Sequence, residues 1–191
     1  MIADMSSQAL AAIIIVGILF VATIVLVLYN GLIRARNMAD ESWSGVDVQL
    51  KRRRDLVPNL VQTVQGYADH ERQTIEAVTA ARALATGAAG AAAKAVPAEN
   101  ALTAALTGLF GVVENYPDLK ASDNFLDLQK QLSEIENQVV AARNIYNGNA
   151  RAYNDRVQTF PNTLIAGPFG FKKRAYFEAA AGERGVVTVG F

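Results

Sequence analysis

His70 and Glu71 stand side by side in a chain of 191 residues, and a His-Glu pair opens the zinc-protease pattern H-E-x-x-H. That pattern needs a second imidazole one helical turn on, to share the metal with the first. Position 74 is Thr74, and His70 is the only histidine. A multi-histidine zinc site within one chain is therefore excluded, and His70 reads as an exposed helix residue. Paired carboxylates are the next chemistry to look for. Glu134 and Glu136 are two apart and point to different helix faces, as do the adjacent Asp40 and Glu41. With no cysteine, thiolate catalysis, disulfides, a lipoprotein anchor and Cys-based zinc sites are ruled out. Gly87, Gly90, Gly108 and Gly111 form neither phosphate-binding pattern. No catalytic residue, cofactor, metal or small-molecule substrate is expected, and the chain reads as non-enzymatic.

The remaining unusual residues suit binding rather than catalysis. Lys51, Arg52, Arg53 and Arg54 form a basic run that could meet anionic lipid, pair with acids of a neighbouring helix such as Asp123, Asp127 or Glu134, or face another subunit. Arg52 lies roughly 35 Å of helix beyond Tyr29, and surface fields fade within about 8–10 Å, so pairing is favoured over lipid. Tyr146-Asn147 recurs as Tyr153-Asn154 one heptad later, and Asn149 falls between them. A buried polar residue in a helical seam fixes register at some cost in stability, so Tyr146, Asn149 and Tyr153 are read as register residues. Phe169, Phe171, Lys172, Lys173 and Arg174 make a basic, aromatic tail that either docks on a membrane or partner, or packs its rings on the body of the protein.

These groups must be carried by helices, and the first is an anchor. No charged side chain lies between Asp4 and Arg34. Residues 9–29 span about 30 Å as a helix, the thickness of the hydrocarbon core, and lipid demands a helix there. A cleaved signal peptide fits poorly: no Lys or Arg precedes the run, and the run exceeds the usual core of about 7–15 residues. Tyr29 belongs at the interface, with Arg34 and Arg36 as head-group contacts. Cations follow the run and do not precede it, which predicts the N-terminus outside and the rest in the cytoplasm.

The soluble part reads as helical. Trp43, Val46, Leu50 and Val57, then Val61, Val64, Ala68, Ile75 and Val78, mark one stripe. Pro58 either kinks a single long helix or opens a second one; the uninterrupted stripe favours the kink. A Gly/Ala-rich loop is expected over residues 86–95. Pro97 then starts a helix with Leu102, Leu106, Leu109, Val113 and Tyr116 on one side, ended by Pro117. A long seam follows: Phe125, Leu128, Leu132, Ile135, Val139, Ala142, Tyr146, Asn149, Tyr153, Arg156 and Phe160, capped by Ser122 or Asp123 and stopped by Pro161. A short helix over residues 175–181 and an extended end over residues 186–191 complete the chain. The expectation is an all-α protein: a short segment (1–8), a transmembrane helix (9–29), an antiparallel up-and-down bundle of three to four long helices (30–166) and a basic, aromatic C-terminal segment (167–191).

Five stretches carry a family likeness: YNGLIRARN (29–37), WSGVDVQLKRRRDLVPNLVQTVQGYADHE (43–71), ENYPDLKASDNF (114–125), ARNIYNGNARAYNDRVQTFPNTLIA (142–166) and FKKRAYFEA (171–179). In these the chain resembles LemA proteins, a bacterial family of one-helix membrane proteins. The resemblance implies an up-and-down bundle, an N-out anchor and a cytoplasmic body at the bacterial inner membrane, with no established enzymatic activity.

Lys+Arg and Asp+Glu are both 18, so no cation surplus is available for nucleic acid. One apolar pass without an intramembrane polar group lines no pore. Two functions are expected: a self-associating, membrane-anchored scaffold or assembly protein of the cell envelope, or an adaptor that docks a signalling or proteolytic membrane partner. The partners are accordingly the lipid bilayer, further copies of the chain and an envelope protein.

Overall fold

The computed structural model describes residues 2–68, 70–90 and 92–177, with side chains from Ser7 onward. The described residues are all-helical, without strands: α1 (Ile2–Gln65), α2 (Arg72–Gly87), α3 (Ala92–Val113), α4 (Pro117–Lys120), α5 (Asp123–Gln158) and α6 (Thr163–Ala166). They form two compact units. One holds Met1–Ala39 with Asn149–Arg174, the other Asp40–Gly148 with Ala175–Phe191.

In the first unit, the apolar stretch of α1 is exposed over residues 7–24. Ile13, Ile14, Ile15 and Val16 are 69, 58, 57 and 65% exposed. Four successive helical residues point all the way round the axis, so no face is covered. Helix α1 is long and apolar enough to cross a membrane. Helix α3 passes the same test of length and composition, but Leu102, Leu106, Leu109 and Val113 are buried, as in a core helix. Further along α1, Leu32, Ala35 and Ala39 join Tyr153, Val157, Ile165, Ala166 and Phe171 in a small core, with Val25, Leu28, Tyr29 and Ile33 packed against it.

The second unit has the larger core. It unites Val57, Leu60 and Val64 of α1, Val78, Ala81 and Ala85 of α2, Leu102, Leu106 and Leu109 of α3, and Phe125 and Leu132 of α5. Ser122 caps α5, its Oγ accepting from the Phe125 amide at 3.3 Å. Helix α1 runs through Pro58 unbroken. Proline has no N–H, so the carbonyl of Arg54, four residues back, loses its helical donor. Arg82 of α2 replaces it: its Nε donates to the Arg54 carbonyl at 2.8 Å.

Several boundaries differ from the sequence expectation. The chain breaks at Gly66, not in the eighties: Gly66 and Ala68 amides close the turn on Gln62 and Val64 carbonyls, and His70 lies in this turn rather than on a helix. Helix α3 begins at Ala92, so Pro97 lies inside the helix and not at its start. Among the described residues the Gly/Ala loop shrinks to residues 88–90, and Trp43 holds it, its indole Nε1 donating to the Gly90 carbonyl at 3.2 Å. Gly90 adopts φ +89°, a conformation that favours glycine. Helix α3 ends at Val113, and Pro117 opens the short α4 instead of terminating α3. Residues 175–177 are not helical; the remainder of that expected helix and the expected extended end lie outside the described residues.

Candidate functional site

The buried stripe of α1 runs Ala39, Trp43, Val46, Leu50, then Val57, Leu60, Val64. Steps of three and four place positions 53 and 54 on the same stripe, and both are arginines, 2 and 4% exposed. The stripe of α3 runs Ala95, Glu99, Leu102, Leu106 and Leu109, with Glu99 1% exposed. Three charged residues on apolar stripes thus meet inside the second unit. Arg54 Nη1 donates to Glu99 Oε1 at 2.5 Å, and Arg54 Nη2 lies 3.5 Å from Asp47. Arg53 Nε lies 2.9 Å from Glu136 Oε1 of α5, while Nη1 stands 3.8 Å from Glu99 Oε2. Arg53 Nη2 donates to Thr103 Oγ1 at 2.5 Å, and that hydroxyl donates to the Glu99 carbonyl at 3.0 Å. Burial holds the Glu99 carboxyl above its ordinary pKa, against the pull of Arg54 and Arg53; Glu136 pushes the same way as burial.

The basic run therefore divides. Lys51 and Arg52 are exposed; Lys51 pairs with Asp55 at 2.5 Å, and Arg52 reaches Gln49 and Gln138. Arg53 and Arg54 are interior. Their acids are Glu99, Glu136 and Asp47 instead of Asp123, Asp127 or Glu134. The adjacent cavity is about 30 Å³, the volume of one water molecule. The cluster has room to hold helices together but not to admit an organic substrate.

The Tyr-Asn repeat makes two clamps on non-helical backbone. In the second unit, Tyr146 Oη donates to the Ala175 carbonyl at 2.6 Å. Asn147 takes both backbone groups of Phe177: its Nδ2 donates to the carbonyl at 2.9 Å and its Oδ1 accepts from the amide at 2.8 Å. In the first unit, Tyr153 Oη donates to the Lys172 carbonyl at 2.9 Å. Asn154 takes both backbone groups of Arg174, at 2.9 and 2.8 Å. An asparagine amide has a donor and an acceptor side by side, which matches one residue of extended chain. Seven residues along α5 answer three along the tail in both pairs. The clamps read backbone, so they require no particular side chain on the tail.

The polar residues that bind are thus Asn147 and Asn154. Asn149 is half-buried. Beyond Tyr146 the buried face follows Ala150, Tyr153 and Val157, so Arg156 and Phe160 fall off the stripe expected for them. Around the tail, Trp43 packs edge-on against Tyr146 with ring centroids 5.1 Å apart, and the Arg143 guanidinium lies 5.4 Å over the Phe177 ring. In the first unit, Tyr29 meets Phe169 and Phe171 at 5.2 and 5.6 Å, and Arg36 lies 5.7 Å over Phe171. Phe171 is buried; Arg34, Phe169, Lys172 and Lys173 are exposed. Among the described residues no His, Asp and Glu cluster could hold a metal ion.

The model of the LemA family matches residues 42–191. Protein LemA of Metamycoplasma hominis is 26% identical over 155 residues, covering 81% of this chain and 71% of that protein. Magnetosome protein MamQ of Magnetospirillum gryphiswaldense is 26% identical over 207 residues, covering 95% and 76%. Magnetosome protein MamQ 2 of Paramagnetospirillum magneticum is 27% identical over 195 residues, covering 88% and 71%.

Proposed function

The chain belongs to the LemA family, and on that premise we propose that it is a non-enzymatic, membrane-anchored helical scaffold or assembly protein of the bacterial cell envelope, working as a homo-oligomer. One observation carries the reading. Its unusual polar residues hold its own helices and tail, while the apolar first part of α1 is exposed on every side over residues 10–21. Arg53 and Arg54 are paired with Glu99, Glu136 and Asp47; Asn147 and Asn154 are occupied by backbone. That pattern suits a body built for stiffness and a helix built for lipid. The names of the relatives, a family name and a magnetosome protein, fit a role in a cellular structure and name no reaction.

In this reading residues 9–29 cross the inner membrane once, with the N-terminus outside and the body in the cytoplasm. Tyr29, Arg34 and Arg36 mark the cytoplasmic interface, where cations are retained. A second reading, an adaptor for another envelope protein, is supported by the exposed cations Lys51, Arg52, Lys172 and Lys173. Crosslinking in living cells followed by mass spectrometry separates the two. The scaffold reading predicts crosslinks between copies of this chain as the dominant product; a single recurrent hetero-partner without self-crosslinks would replace it with the adaptor.

A further inference from the structure

We propose that residues 160–169 form a second membrane contact, an apolar loop seated in the interface beside the anchor. The proposal rests on the membrane reading of α1 and adds to it. No residue between Arg156 and Lys172 is charged. Within that window Phe160, Leu164 and Phe169 are 74, 67 and 56% exposed, a concentration of apolar surface that a water-soluble face does not explain.

The depth follows from contacts inside the first unit. Phe169 touches Tyr29, the aromatic residue at the end of the apolar run. Ile165, Ala166 and Phe171 belong to a core against which Val25 and Leu28 also pack. Val25 lies one helical turn, about 6 Å, inside Tyr29. An element that reaches this level occupies the depth of about 5–10 Å taken by interfacial apolar faces.

The backbone is equipped for that environment, where an amide without a partner is costly. The Thr163 amide donates to the Thr159 carbonyl just before the segment, the amides of Leu164, Ile165, Ala166 and Phe169 donate to carbonyls within it, as do those of Gly170 and Phe171 just after it, and Pro161 and Pro168 have no amide hydrogen. Gly170, at φ +72°, turns the chain so that Phe169 stays exposed while Phe171 is buried. Lys172 and Lys173 are exposed just after the segment, Arg36 lies over Phe171, and a cationic rim suits anionic head groups.

The chain has no cysteine, so single sites can be labelled in the full-length protein. An environment-sensitive fluorophore is placed at Leu164→Cys, at Phe160→Cys, at Val21→Cys in the anchor and at Lys51→Cys, in vesicles of phosphatidylethanolamine and phosphatidylglycerol. Nitroxide lipids quench at shallow or deep positions. Labels at 160 and 164 lose emission chiefly to the shallow nitroxide, the label at 21 chiefly to the deep one, and the label at 51 to neither. If 21 is quenched while 160 and 164 are not, the loop proposal is overturned and the anchor stands. If 21 escapes the deep nitroxide, the membrane reading itself fails. Blue-shifted emission at 160 and 164 that tracks protein density and resists lipid quenchers assigns the patch to a second copy and also overturns the proposal.

Discussion

Glu99 shows how much one residue decides. Its carboxylate lies between two arginines that are themselves interior, and guanidinium groups do not give up their proton. A buried ion pair adds little net stability, but loss of one partner strands the other charge. Glu99→Ala should therefore cost about 3–5 kcal/mol in urea denaturation of the detergent-solubilised full chain. Replacing the pair together, Glu99→Leu with Arg54→Met, should recover much of that loss. The pH dependence has a definite sign. Glu99 holds its proton more tightly in the folded state than in the unfolded one, so folding takes up a proton in the window above 4.5. Its contribution to stability grows as pH falls from neutral into that window and is lost as pH rises through the folded pKa. Glu99→Gln should flatten this part of the stability profile; an unchanged slope would assign it to another group.

Helix α1 survives an internal proline because a side chain from another element stands in for the missing amide. Arg82→Ala should leave the Arg54 carbonyl without its donor and cost about 1–3 kcal/mol. In a Pro58→Ala background the helix supplies its own amide, so the same Arg82 change should cost much less; equal losses in both backgrounds would refute the compensation. Periodicity made the helices legible, and the unbroken stripe through Pro58 correctly favoured one long helix. The interior charge cluster was hidden for a specific reason. Starting α3 at Pro97 placed Glu99 in a first turn, where an acid needs no explanation. With α3 begun at Ala92, the stripe from Ala95 to Leu102 passes through Glu99. The stripe of α1 likewise passes through Arg53 and Arg54. The Tyr-Asn repeat did point to polar work at these turns. Asn149 was chosen over Asn147 and Asn154 because strict seam spacing ignores the shift of the buried face that follows Tyr146. That the tail would be their ligand was not legible, since a backbone clamp leaves no mark on the sequence it holds.

For the whole molecule, the sequence made plain an all-helical protein with an apolar N-terminal helix, and the family followed from long collinear matches. The function was less legible, because the proposed scaffold would work through surfaces that meet other copies, and no short motif encodes them. In the proposed reading the chain's polar chemistry goes into ion pairs and clamps within its own body. The central claim is that such bodies assemble on the membrane. The most direct measurement is the mass of the full-length protein extracted with its surrounding lipid and followed through a dilution series. The account predicts a defined oligomer that persists on dilution, in place of a broad distribution. A monomer at every concentration would contradict it.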